Sequence, residues 1–214
     1  MREAATRSVL DVSSLPKTAL DHHAPIWWGN VMMMLIETTL FALTVAAYFY
    51  IRLNFDQWPP VQPNHLPPIF HPLPDLGIST VNLLVILSSV APMIFADRCA
   101  LRMDRRGVTL GLILCIALGI VAITLRGFEF QALKFRWDDN AYGSVVWFIV
   151  GMHLTHLIAG TCENGVMLAW LLAHGLDDKH ARDVRVGAVY WYWIAAIWVV
   201  LFAIVFIYPR FTSS

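Results

Sequence analysis

The stretch IVGMHLTHLIAG, Ile149 to Gly160, sets two histidines, His153 and His156, inside an apolar run. A soluble helix would alternate this face with charged residues; here the flanking sequence from about 142 to 173 stays apolar, long enough to cross a bilayer. Around it the 214-residue chain is 58% hydrophobic and only 14% charged, with a mean hydropathy of +0.61. Soluble domains carry about a quarter charged residues. The composition therefore predicts a polytopic membrane protein.

A membrane helix needs about 20 mainly apolar residues. Five segments meet that requirement, at about 27–52, 77–96, 108–127, 142–173 and 187–208. The predicted fold class is all-α, a bundle of five transmembrane helices spanning 26–208. Residues 1–25 read as a polar cytoplasmic tail and 209–214 as an outer tail. The first 25 residues contain no apolar core of the kind a secretory signal needs, so the first apolar segment is expected to insert and stay. Aromatic residues such as Trp27, Trp28, Tyr190 and Tyr208 lie near span ends, as interfacial side chains do.

Orientation follows the basic residues. Arg2, Arg7, Lys17, Arg98, Arg102, Arg105, Arg106, Lys179, Arg182 and Arg185 fall on one side; Arg52, Arg126, Lys134, Arg136 and Arg210 fall on the other. Ten against five predicts a cytoplasmic N-terminus and an outer C-terminus. The loop after span one, NFDQWPPVQPNHLPPIFHPLPDLG, holds seven of the eleven prolines and is expected to lie extended on the outer surface. Net charge is zero, and the basic residues form short clusters, so no nucleic-acid partner is expected.

Ionisable groups inside a membrane cost a few kcal/mol each and mark function by default. Glu37 lies roughly 15 Å past Trp27 and His153 roughly 16 Å from the outer end of span four, at 1.5 Å per residue. A carboxyl–imidazole bond between them would satisfy both groups. His153, His156, Gly160 and Glu163 follow i, i+3, i+7, i+10, one helical face. Asn82 in span two is a further interhelical donor, and Glu129 closes the set of candidate polar residues.

A metal site is the sharper alternative. Di-metal bundles take Glu-x-x-His motifs from two helices plus further glutamates; this chain has one HxxH and no Glu-x-x-His. His22, His23, His65, His71, His174 and His180 all fall in loops or at span ends. Cys99, Cys115 and Cys162 share no metal spacing and read as small apolar side chains. There is no GxSxG, P-loop or HExxH. No catalytic residue and no metal ligand is expected, and interhelical hydrogen bonding is the simpler use of the polar groups. A free-standing metalloenzyme using the HxxH helix stays as a remote alternative. A transporter with a midplane site at Glu37 finds no support in an odd number of spans, which allows no even inverted repeat.

In order along the chain, several motifs resemble subunit III of the haem–copper oxidases, the cytochrome c oxidase type. They are Trp27-Trp28 opening span one with Glu37 inside it; Trp58-Pro59-Pro60; His71-Pro72-Leu73; Asn82; Phe128-Glu129-Phe130; Tyr142-Gly143-Ser144; GMHLTHLIAG; and the aromatic final span VYWYWIAAIWVVLF. The resemblance covers about residues 26 to 208. It implies a subunit with no redox centre, packed against the catalytic subunit I, which holds haem and copper, in a complex with a copper-bearing subunit II. It further implies phospholipid binding, support of proton uptake and oxygen access, and protection of the catalytic subunit during turnover. The family's long form has two more N-terminal helices, so this chain is similar to its five-helix bacterial form, which implies a bacterial inner (plasma) membrane. The family's final helix usually carries a histidine and an aspartate where this chain has Tyr192 and Ala195, and Glu163 has no counterpart in the pattern. An accessory protein of a nitric oxide reductase or a quinol oxidase is the alternative within the family.

Overall fold

The computed structural model describes residues 25–61 and 73–212, and among these every regular element is helical. Helices α1 (Pro25–Arg52), α2 (Leu76–Leu101), α3 (Arg105–Ala132), α4 (Ala141–His174) and α5 (Asp178–Phe202) are each long and apolar enough to cross a membrane. A π-helical turn, Ala203–Ile207, carries α5 on into α6 (Tyr208–Thr212). All five expected spans are present.

Short polar caps set the helix starts. The side chains of Asp75, Asp104, Asn140 and Asp177 accept from the backbone N–H of Gly77, Arg106, Gly143 and His180 at 3.2, 3.1, 2.7 and 2.8 Å. Each satisfies one of the donors that the first helical turn leaves unpaired. Asp177 explains why α5 starts about nine residues before the apolar run: the helix begins at its cap and reaches the membrane later. Helix α4 ends on Gly175 at φ +85°, a left-handed position that favours glycine.

Helix α3 is built for close approach. Gly107, Gly111, Cys115, Gly119 and Ala122 recur every three to four residues, and all are buried. A Cβ on Gly111 would sit 2.8 Å from the Pro92 carbonyl oxygen and 2.7 Å from the Ala96 Cβ. Small residues of this kind let membrane helices bring their backbones together. Helices α2 and α3 accordingly form the most extensive contact of the bundle, and α4 and α5 close it.

Helix α1 is peripheral and packs chiefly on α4 and α5. Its buried residues, Asn30, Phe41, Thr44 and Tyr48, form one stripe, and Leu35, Ile36, Leu40 and Leu43 on its other faces are exposed. In water such a surface would aggregate; in a bilayer it faces lipid.

Two boundaries differ from the sequence reading. Helix α3 runs five residues past 127, so Arg126 lies inside a helix and is fully buried. It is not one of the solvated basic residues counted at the span ends, because Glu129 on its own helix and His153 and Trp198 on α4 and α5 supply its partners. At the other end the chain stays helical through Thr212, and Arg210 donates to the carbonyls of Phe206 and, at 2.6 Å, Pro74, tying this end to the segment before α2.

Candidate functional site: two polar clusters in the bundle

The stripe of small residues on α3 continues into Arg126 and Glu129, 0% and 1% exposed. Their i, i+3 spacing puts both side chains on the packed face. Arg126 Nη1 donates to Glu129 Oε2 at 2.7 Å, and Asn82 Nδ2 on α2 donates to the same oxygen at 3.0 Å. The guanidinium lies 3.6 Å from the ring centroid of Trp198 on α5, a cation–π contact. Its Nη2 meets His153 Nδ1 on α4 at 3.2 Å. The cluster links α2, α3, α4 and α5 with no net charge. Asn82 Oδ1, Glu129 Oε1, Arg126 Nε and Trp198 Nε1 have no protein partner, so charge-assisted bonds hold it rather than complete pairing.

These contacts fix the state of His153. A guanidinium can only donate, so His153 Nδ1 accepts. The opposite nitrogen, Nε2, then carries the proton and donates to the Ile194 carbonyl at 3.1 Å. The ring is stacked on Trp198 at 4.5 Å and is fully buried. Ala195 is buried and apolar. The acceptor that α5 offers His153 is backbone.

The expected Glu37–His153 bond does not form. Glu37 Oε2 lies 2.9 Å from His156 Nε2. Three residues along a helix turn the side chain through roughly 300°, which leaves His153 and His156 about 60° apart. That offset aims His153 at α3 and α5 and His156 at α1. His156 Nδ1 bonds the Met152 carbonyl at 2.7 Å, and Phe41 and Trp193 flank the ring. Trp193 Nε1 in turn donates to Thr38 Oγ1 at 2.8 Å.

Of the residues singled out from sequence, the structure therefore joins Asn82, Glu129 and His153 in one cluster and Glu37 and His156 in a second. Glu163 joins neither. It is exposed and lies over Gly187 of α5, with Oε1 3.3 Å from where a Cβ there would be. Arg126 and Trp198 complete the first cluster and were missed. The signal for Arg126 was present in the 107–122 small-residue stripe, which points at 126 and 129.

Neither HxxH histidine has a ring nitrogen left for a metal, and among the described residues no group of three His, Cys, Asp or Glu could hold one. His174 and His180 are used elsewhere, stacked on Trp170 at 4.1 and 4.6 Å. His22, His23, His65 and His71 lie outside the described residues. Cys99 and Cys115 are buried free thiols.

The end of the bundle where α1 finishes and α4 starts explains two other motifs. Trp58 is buried and donates from Nε1 to Tyr48 Oη at 2.8 Å, while its ring meets Tyr142 edge-on at 4.7 Å. Gly143 lets the start of α4 touch the preceding loop, since a Cβ there would sit 2.2 Å from the Arg136 carbonyl. Ser144 Oγ donates to the Trp137 carbonyl at 2.6 Å.

The fold and both clusters define a class: a multi-pass membrane bundle whose intramembrane polar groups are taken up by interhelical bonds. The family model for cytochrome c oxidase subunit III matches residues 16–210, and the chain belongs to that family. Proteins named cytochrome c oxidase subunit 3 are similar along most of the chain. The one from Podospora anserina is 28% identical over 195 residues, 87% of this chain and 70% of its own length. The Emericella nidulans protein is 30% identical over 183 residues, 83% of this chain and 65% of its own. The earthworm Lumbricus terrestris supplies a more distant one, 24% identical over 199 residues, 88% and 74%.

Proposed function

We propose that the chain is a non-catalytic membrane subunit of a haem–copper terminal oxidase, the complex that reduces oxygen to water and pumps protons. The observation that carries this is the family match from 16 to 210, which spans all five helices. The engaged histidines agree with it, because redox chemistry then belongs to haem and copper in other subunits. The catalytic subunit I and the copper-bearing subunit II are the partners this reading assigns. The relatives compared are named for cytochrome c oxidase, so the nitric oxide reductase and quinol oxidase readings are not favoured.

In this reading the N-terminus is cytoplasmic. With Arg126 buried, the basic residues divide ten against four, a stronger bias than the sequence alone suggested. Phospholipid chains fill the grooves between helices. One of about 580 Å³ between α1 and α4 is lined by Leu43, Ala47, Ile51, Val145 and Phe148; one of about 520 Å³ lies between α2 and α3 around Pro92. A bacterial plasma membrane is part of this proposal; the relatives compared are fungal and animal. Glu37, His156, His153, Asn82 and Glu129 act as interhelical ties, and Glu163 faces lipid or a partner.

The test compares the oxidase complex purified with and without this chain. An accessory role predicts unchanged haem absorption bands and a shorter active lifetime during turnover. Loss of the haem bands from a complex that otherwise assembles would assign the chain a redox-site role and refute the reading.

A further inference from the structure

The turn between α2 and α3 carries Arg98, Arg102, Arg105 and Arg106. Their neighbours divide them. Arg105 turns back to α4 and donates to the Leu171 and Leu172 carbonyls at 3.0 and 3.1 Å. The other three are exposed, and among the described residues none of their guanidiniums pairs with a carboxylate. Asp97 is held by Arg185 at 3.1 Å, and Asp104 accepts the backbone N–H of Arg106. The three free guanidiniums stand at the mouth of the groove between α2 and α3. Ala91 and Phe95 line that groove from α2, and Leu110, Leu114 and Val121 line it from α3. At 3.6 residues per turn, Ala91, Phe95, Arg98 and Arg102 keep within about 60° of one another around α2. Arg106, Leu110, Leu114 and Val121 keep within about 80° around α3. Arg98 and Arg102 therefore continue one wall of the groove and Arg106 the other. At 1.5 Å per residue, Arg98 lies roughly 4.5 Å beyond Phe95 and Arg106 roughly 6 Å beyond Leu110.

We propose that the α2–α3 groove and these arginines form one site for a phospholipid with a negatively charged headgroup, its acyl chain along the groove and its phosphate on Arg98, Arg102 and Arg106. The site rests on the reading that lipid fills this groove, and adds which headgroup it takes. The walls are apolar and exposed, so they favour a hydrocarbon chain and offer nothing to a soluble anion. The arginine stems lie along apolar surface while their heads reach the headgroup level. Guanidiniums take phosphate oxygens through paired N–H donors and stay charged at every physiological pH. With Asp97 paired to Arg185, three guanidiniums face the one remaining carboxylate of the turn, Asp104. That excess of positive charge selects an anionic headgroup over a zwitterionic one, as basic clusters beside membrane helices do.

The measurement is native mass spectrometry of the full chain released from nanodiscs of phosphatidylcholine and phosphatidylglycerol in equal parts. The expected result is preferential retention of phosphatidylglycerol. Arg98→Gln, Arg102→Gln and Arg106→Gln each lower that preference by about fivefold. Lys179→Gln, an exposed charge on α5, leaves it unchanged. Ala117 is exposed in the groove, so Ala117→Phe fills the groove without disturbing the core and releases the phosphatidylglycerol. Equal retention of the two lipids, or a preference that the three arginine variants do not move, would overturn the headgroup site and leave the lipid-filled groove standing. A chain that retains no lipid, or an Ala117→Phe variant that retains as much phosphatidylglycerol as wild type, would overturn both. In the purified oxidase complex, Ala117→Phe that sheds a protein subunit and keeps its lipid would give the groove to a partner helix and overturn the site.

Discussion

Replacing Arg126 by methionine removes three contacts at once: the 2.7 Å bond to Glu129, the 3.2 Å bond to His153 and the cation–π contact on Trp198. Methionine roughly fills the space and leaves Glu129, 1% exposed, with Asn82 as its one donor. Breaking a buried ion pair from one side costs about 3–5 kcal/mol, because the remaining charge is left without its counter-ion. At about 1.4 kcal/mol per factor of ten, the folded-to-unfolded ratio falls by a factor of roughly 10² to 4 × 10³. Removing the pair together, as in Arg126→Met with Glu129→Gln, should recover most of the loss, since a neutral glutamine still accepts from Asn82. The assay is unfolding of the purified chain in mixed micelles, run as a double-mutant cycle. A coupling of about 2 kcal/mol between the two sites is expected. A single Arg126→Met variant within about 0.5 kcal/mol of wild type would refute the claim that this cluster ties the helices together.

Three further outcomes follow from particular contacts. Tyr48→Phe strands the buried Trp58 N–H and should lower stability by about 1–3 kcal/mol, read as a fall in melting temperature, with the α1 register kept. Gly111→Ala forces its Cβ against the Pro92 carbonyl and the Ala96 Cβ, and overpacking should cost about 1–3 kcal/mol in the same melt. At the α4–α5 turn, the His180 backbone N–H and then its ring hold the Asp177 carboxyl below the usual carboxylate range. A depressed value means that this contribution to helix start is present above the ordinary value of about 3.9 and is lost as pH falls through the folded one. The protection of amides at the start of α5 against exchange, relative to their intrinsic rates, should therefore fall in acid for wild type, and Asp177→Asn should flatten that dependence.

The five spans were legible because bilayer crossing demands a length of apolar sequence that nothing else in the chain requires. The candidate residues were also legible, as ionisable groups within those spans. Their pairing was not. Whether Glu37 meets His153 or His156 turns on a rotation of about 60° around α4, which depth along the helix cannot resolve. Arg126 escaped for a different reason. Counting basic residues near span ends treats each as solvated, whereas here a glutamate three residues on and a tryptophan from α5 make burial tolerable. The glycine and cysteine spacing on α3 held the needed information, since a stripe packed along its length carries its last members inward. Glu163 was placed on the face of His153 by its spacing, yet it joins neither cluster and lies exposed over Gly187 of α5.

The most direct test of the central claim is to purify the tagged chain from its native membranes in mild detergent and record the optical spectrum and oxygen uptake of what comes with it. Membership of a terminal oxidase predicts stoichiometric haem, large co-purifying catalytic subunits and oxygen consumption. A chain that emerges alone and colourless under conditions in which the membrane oxidase stays intact would contradict it.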